Sequence, residues 1–311
     1  MHIAIVGAGA VGGFYGALLA RAGCRVAFVA RGAHLEAIRA RGLRIAGSVG
    51  EFTVQAQAES DPSRIGPVDA VIVAVKTYDN DSAFPLVRPL VGPHTTVLTL
   101  QNGVDSAEDL AAIIGRPAVI AGATYVATAI EAPGVIRQTG THRRLVFGEF
   151  FEPEPVVSER VRRLETAMSA ADIHAEAVPD ARPAIWEKFI YLAPFAAFTG
   201  AARLPIGPLW RDDDARGAFL QAVAEVRGVA RASGVDVPDN LLARVEQYGA
   251  ELPPSTRSSL LIDLSQGRRI EVESLPGSVV RRGRLVGVPT PMMAALYAVL
   301  KPHAQGAGVP A

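Results

Sequence analysis

Met1-His2-Ile3-Ala4-Ile5-Val6-Gly7-Ala8-Gly9-Ala10-Val11-Gly12-Gly13 decides the fold: a short apolar run feeds directly into a Gly-x-Gly-x-x-Gly turn at Gly7, Gly9 and Gly12. The spacing matters because each glycine answers a different demand. The first permits a tight turn, the second lets a pyrophosphate approach the backbone, and the third lets the next helix, expected over 14–22, pack closely on its strand. Phosphates held there face a helix N-terminus, whose unpaired N–H groups and dipole favour negative charge. The strand before the glycines and the helical pattern after them supply the context that glycines alone would lack.

Outward from this turn, strands are expected at 3–6, 26–30, 52–56, 70–75, 96–100, 119–123 and 145–147, alternating with helical stretches. That rhythm predicts an α/β class with a doubly wound, mostly parallel sheet. The run Ala70 to Val75 is continuously apolar, as a central strand covered on both faces should be. The segment 131–140, with Pro133, Gly134 and Gly140, reads as a hairpin turning antiparallel at the sheet edge. Beyond Pro179 the texture becomes helical. Phe219, Val223, Val226 and Ala230 recur at helical spacing before Gly234, and Thr290-Pro291 reads as N-cap and first helical residue of a last helix over 292–300. The expected division is therefore 1–178 for the dinucleotide-binding domain and 179–311 for an all-α domain, with a frayed tail after Pro302.

Composition excludes several function classes. Formal net charge is zero over 311 residues, and no basic run is present, so neither nucleic acid nor a membrane surface is an expected partner. A single cysteine, Cys24, excludes an intrachain disulfide and a cysteine-ligated zinc, and the six histidines lack ligand spacing, so no metal is expected. The uncharged start has no basic leader, and the apolar stretch 189–202 is interrupted by Pro194 and too short to span a bilayer. A cytoplasmic protein is expected, and exposed faces of the C-terminal helices could support a homodimer.

The second strand ends at Arg31, where an NAD-binding chain usually carries an acid for the ribose 2′-hydroxyl. A guanidinium there suits a 2′-phosphate, which favours NADPH. Lys76 and Asn102 each lie just past the carboxyl end of a predicted strand, where open α/β sheets bind ligands; Lys76 could reach cofactor phosphate or ribose, and Asn102 the nicotinamide ribose. Lys188, in Trp186-Glu187-Lys188-Phe189, precedes an almost uncharged helix, so its ammonium either reaches out to water or is placed for use.

The glycine fingerprint, Arg31, Val75-Lys76, Gln101-Asn102-Gly103, Trp186-Glu187-Lys188, Arg257-Ser258-Ser259 and Gly267 to Glu271 occur in the order seen in ketopantoate reductases (2-dehydropantoate 2-reductases), which the chain resembles over nearly its whole length. The resemblance implies a Rossmann domain joined to a C-terminal helical domain like that of 6-phosphogluconate dehydrogenase, with NADPH and a 2-oxo acid in the cleft. It implies Lys188 as general acid, Glu271 as the carboxylate that meets it, Ser259 as a substrate contact, and Lys76 and Asn102 as cleft residues. Pantothenate biosynthesis follows only by analogy.

The chain departs from the family on the lysine's helix. Asparagines that bind substrate one and two turns beyond the lysine are replaced by Leu192 and Ala196, on the same helical face. The expected reaction is accordingly NADPH-dependent reduction of a small carbonyl substrate, a 2-oxo acid, to a 2-hydroxy acid: ketopantoate to pantoate or, as these two residues favour, a bulkier and more apolar analogue. Two alternatives remain open at this point: an imine reductase of the same fold, and a non-catalytic NADPH-binding sensor or scaffold.

Overall fold

A computed structural model describes residues 1–306. By contacts it forms two units, one of residues 1–101 and 106–184, the other of 102–105 and the chain from Ile185 onward.

The first unit holds strands β1 (His2–Val6), β2 (Arg25–Val29), β3 (Leu43–Gly47), β4 (Phe52–Val54), β5 (Gln57–Glu59), β6 (Ala70–Val73), β7 (Thr96–Thr99), β8 (Val119–Tyr125), β9 (Thr128–Ala132), β10 (Val135–Gln138), β11 (Arg144–Gly148) and β12 (His174–Val178). Its helices are α1 (Ala10–Arg21), α2 (Gly32–Arg41), α3 (Asn80–Ala83), α4 (Ser106–Ile114) and α5 (Glu159–Ala170). Eight strands form one sheet in the order β12-β11-β8-β7-β6-β1-β2-β5. Its pairings are parallel except where β11 runs antiparallel to β8. Strand β6 is buried along its whole length, which its unbroken Ala-Val-Ile-Val requires.

Three expectations need correction here. Helix α1 begins at Ala10, not residue 14, so Gly12 and Gly13 lie inside it. The segment near 52–56 does not join the main sheet. Its core, β4, belongs to a separate four-stranded sheet ordered β4-β3-β10-β9. The expected hairpin near 131–140 exists as β9 and β10, turned by Gly134 at φ 76°, yet it too lies in this second sheet instead of at the edge of the first. The reason lies on α1. A Cβ on Gly16 would press into Phe28 of the main sheet, while one on Gly13 would collide with Ile136 of the second. Glycines on two faces let α1 pack between both sheets, and residues Gly12 through Leu19 are buried without interruption.

The second unit is helical: α6 (Arg182–Ala202), α7 (Ile206–Arg211), α8 (Asp213–Ala232), α9 (Leu241–Glu251), α10 (Ser259–Ser265), α11 (Ser278–Val286) and α12 (Pro291–Leu300). Helix α6 starts in the last residues of the first unit and continues through Pro194. In α8 the periodic residues Phe219, Val223, Val226 and Ala230 are buried, and Gly234 follows at φ 77°. Thr290 occupies the N-cap of α12 but its side chain does not cap. The buried Glu225 carboxylate does so instead, accepting from the backbone N–H groups of Met292 and Met293 at 2.9 Å each. The start of the expected frayed tail is held: 301–303 form a short 3₁₀ turn, and Ile270 N–H donates to Ala304 O at 3.1 Å. The remainder, 307–311, lies outside the described residues. No helix among them is long and apolar enough to cross a membrane, and no metal-holding group of histidine, cysteine and acids occurs among them.

Candidate functional site

In the first unit, β1 delivers the glycine turn to the N-terminus of α1. Gly7 sits at φ 96°, and a Cβ there would lie 2.7 Å from the Val75 backbone nitrogen. A Cβ on Gly12 would run into the Gly7 carbonyl oxygen, so the helix can lie this close only without a side chain. At Gly9 a Cβ would meet nothing within 4 Å, which leaves the backbone approachable from outside. One glycine is thus spent on conformation, one on packing and one on access.

Arg31 follows β2, as expected, with its side chain 76% exposed, and its guanidinium is held by Asp79 at 2.6 Å. Asp79 belongs to the loop after β6 that also carries Lys76 at its turn. That loop is tied to the end of β7 by Gln101, whose Nε2 donates to Val75 O at 3.0 Å and to Asn80 Oδ1 at 2.6 Å. Thr99 Oγ1 in turn donates to Gln101 Oε1 at 3.1 Å. In the sequence Gln101 stands out only as a neighbour of Asn102, and Asp79 gives no signal. The signal for Gln101 was a long amide at the mouth of a buried strand, where a polar side chain must find partners.

In the second unit, α6 carries Lys188 inward. The apolar surroundings that made this lysine conspicuous leave it half-buried, and its Nζ donates to Asn102 Oδ1 at 2.9 Å. Asn102, expected near the nicotinamide ribose, thus meets the lysine. Burial lowers the Lys188 pKa from its ordinary value to about 8, against the opposing pull of Glu271, whose negative charge favours the ammonium. Glu271 itself is buried, between α10 and the π-helical turn Glu273–Gly277. Next to Lys188, Glu187 is paired with Arg244 of α9 and so faces elsewhere.

Ser259 is exposed at the start of α10, while its neighbour Ser258 is buried. Ser258 Oγ caps α10 by accepting from Leu261 N–H at 3.0 Å, and shares a 2.7 Å hydrogen bond with Thr199 of α6. Thr199, on the lysine's helical face, is fully buried and committed to this joint. Leu192 is half-buried, whereas Ala196 is only 1% exposed, so the loss of amides leaves an apolar helix face at both positions. One turn beyond Lys188, Tyr191 stacks on Phe195 with ring centroids 5.2 Å apart and meets Tyr248 edge-on.

Comparison with known proteins then decides the assignment. The family model described as "Ketopantoate reductase PanE/ApbA" matches residues 3–152, and its C-terminal counterpart matches residues 180–304. The chain belongs to the ketopantoate reductase family. A 2-dehydropantoate 2-reductase of Mesorhizobium japonicum is 33% identical over 97% of both chains, and one of Nostoc sp. is 29% identical over 96% of this chain and 93% of its own. Among solved structures, a family ketopantoate reductase from Ralstonia eutropha superposes with a TM-score of 0.89 at 34% identity, covering 98% of each chain. D-mandelate dehydrogenase, at 20% identity and a TM-score of 0.88, shares the fold. As a member of the ketopantoate reductase family, the chain is a nicotinamide-dependent oxidoreductase of Rossmann-plus-helical architecture.

Proposed function

We propose that the protein reduces the carbonyl of a 2-oxo acid to a hydroxyl with NADPH, and that its substrate is bulkier and more apolar than ketopantoate. The observation that carries this reading is the half-buried Lys188 ammonium, oriented by Asn102 and favoured by Glu271, in a chain that also holds the glycine turn.

The residues present fit a nicotinamide dinucleotide. The approachable backbone at Gly9 and the N-terminus of α1 would hold the pyrophosphate, and Arg31, with Lys76 on the neighbouring loop, would hold the 2′-phosphate. When bound, the cofactor supplies a hydride. The chain's own part concerns the oxygen. Negative charge grows on a carbonyl oxygen as a hydride adds to its carbon, and the Lys188 ammonium stabilises that charge and gives its proton to the oxygen. Asn102 Oδ1 accepts from one N–H of the ammonium and so fixes its orientation. Lowered to about 8, the lysine's pKa is close to the operating range, where it is both protonated and willing to transfer. In this reading the exposed Ser259, at the start of α10, would meet a polar group of the substrate.

Arg31→Ala tests the choice of cofactor. Losing a charge-assisted contact to phosphate costs about 1.5–3 kcal/mol, so the NADPH dissociation constant should rise about 10- to 100-fold while that for NADH changes little. Fluorescence titration with both cofactors checks it, and equal losses for the two would argue against a 2′-phosphate contact.

Leu192→Asn tests the substrate preference. Sites that hydrogen-bond a polar group reject analogues lacking it far more strongly than apolar pockets reject size, so restoring an amide should shift kcat/KM toward ketopantoate, relative to a 2-oxo acid with a larger apolar side chain, by about 10-fold or more. A wild-type enzyme that already handles ketopantoate at about 10⁴ M⁻¹s⁻¹ or better, with no gain in the variant, would refute the redirected pocket.

A further inference from the structure

The segment 102–105 is a run of bends, without regular structure, that packs with the helical unit. Its first residue is Asn102, which meets Lys188, so whatever fixes this segment fixes the lysine's partner. Gly103, at φ 103°, lies so close to the Glu273–Gly277 turn that a Cβ would be 3.0 Å from the Ser274 carbonyl oxygen. Its far end is held from α11. Arg282 Nε donates to Asp105 Oδ1 at 2.6 Å, and Arg282 Nη2 donates to Val104 O at 3.3 Å. The two side chains are 20% and 24% exposed, so solvent screens the pair less than it does an open surface pair. The Arg282 guanidinium also lies 5.9 Å from the ring centroid of Trp186, on α6 two residues before Lys188. One arginine therefore touches both the segment that bears Asn102 and the helix that bears Lys188. Arg281 adds a longer contact to Asp105, at 3.5 Å, but is more exposed and pairs chiefly with Glu273 at 3.0 Å.

We propose that Asp105 and Arg282 are positioning residues: their ion pair clamps the 102–105 segment against α6 and so sets Asn102 at the Lys188 ammonium. Neither residue touches the reacting atoms. Their effect passes through Asn102, and a displacement of the order of 1 Å in a positioned group is enough to cost up to about 100-fold in rate. The arginine is specific to the task because its planar fork serves a carboxylate and a carbonyl at once while its face lies against an indole, which a lysine cannot reproduce.

The proposal rests on Lys188 being the proton donor, so its test reads the lysine as well as turnover. In the full-length protein, Arg282→Gln, Asp105→Asn, their combination and Arg282→Lys are compared with wild type. Three quantities are measured: kcat and KM with the best 2-oxo acid, NADPH affinity by fluorescence, and the pH dependence of Lys188 acetylation by acetic anhydride, read by mass spectrometry. The charged groups around Lys188 that bear on its labelling are Glu271, the Glu187–Arg244 pair and the clamp itself.

The clamp predicts that kcat falls about 10- to 100-fold in Arg282→Gln and Asp105→Asn with NADPH affinity unchanged. The combined variant is no worse than either alone, and Arg282→Lys recovers part of the loss. The labelling midpoint moves upward from near 8, as a loosened segment lets water reach Nζ. If wild type turns over no carbonyl compound but the labelling shift is present, the functional reading fails and the clamp stands. Unchanged kcat and labelling overturn the clamp. So does a loss of kcat matched by a loss of NADPH affinity and unrecovered in Arg282→Lys, because that is general damage. The near-isosteric Asp105→Asn keeps the test decisive should Arg282→Gln fold poorly.

Discussion

Lys188→Ala lowers kcat/KM about 10²- to 10⁴-fold, the range a positioned general acid supplies, while NADPH binds as before. The separation follows from where the residues lie: the glycine turn and Arg31 belong to the first unit, and Lys188 to the second. The same lysine sets the pH profile. Its protonated form is the one that serves reduction, and burial has brought its pKa to about 8. Reduction should therefore run at full rate below that value and fall about tenfold per pH unit above it. Oxidation of the hydroxy acid needs the neutral amine and should rise through the same range. A lysine at its ordinary value would place both limbs near 10.5. Stopped-flow rates in both directions, from pH 6 to 10, check the pair of profiles; a flat reduction rate with oxidation still rising would mean a lysine of ordinary pKa, and rates independent of pH in both directions would remove Lys188 from the chemistry. Glu271→Gln removes the charge that favours the ammonium, so it should move both limbs to lower pH.

The glycine turn gives the second large effect, and here two similar substitutions should behave differently. Gly9 has an ordinary φ of −69°, and its Cβ would meet nothing within 4 Å, so Gly9→Ala should leave stability within about 1 kcal/mol of wild type. The added methyl occupies the space through which a pyrophosphate approaches the backbone, so cofactor affinity should fall by two orders of magnitude or so. Gly12→Ala drives a methyl into the Gly7 carbonyl oxygen, with Ala74 and Ile5 also in contact. A backbone oxygen cannot swing aside, and overpacking of this kind costs typically about 1–3 kcal/mol. That variant should lose stability as well as cofactor affinity. Thermal unfolding together with NADPH titration reads both. Equal stability losses in the two variants would mean that Gly9 is a packing residue.

How much of this was legible in the sequence depended on whether a residue's reason was local. The β1-turn-α1 unit could be read because each glycine answers a demand within a few residues of itself, and β6 because burial on both faces leaves an unbroken apolar run. The second sheet could not be placed. Strands of three to five residues carry too short a pattern, and their destination was set by Gly13 and Ile136, more than a hundred residues apart. The cap of α12 failed for the same reason: Thr290-Pro291 is a good local signal, yet the cap comes from Glu225 on α8.

At the candidate site, Lys188 stood out as a charge in an apolar helix and Asn102 by its place just past a strand's carboxyl end, while the role of Glu271 was reached through family resemblance. That Asn102 accepts from Lys188 was not visible, because the two lie 86 positions apart and nothing local links them. Asp105 and Arg282 gave no signal at all. Each is an ordinary charged residue until the fold brings them to 2.6 Å. Leu192 and Ala196 were legible as departures, but only the structure separates them, leaving Leu192 half-buried and Ala196 nearly inaccessible. Of the two positions, Leu192 is therefore the one to alter first.

The most direct test of the account is the oxidation of NADPH, followed at 340 nm, with purified wild type and Lys188→Ala against ketopantoate and a series of 2-oxo acids of increasing apolar bulk. Turnover should rise with bulk beyond ketopantoate and collapse in the variant. No turnover of any 2-oxo acid by wild type, or turnover that survives the loss of Lys188, would contradict it.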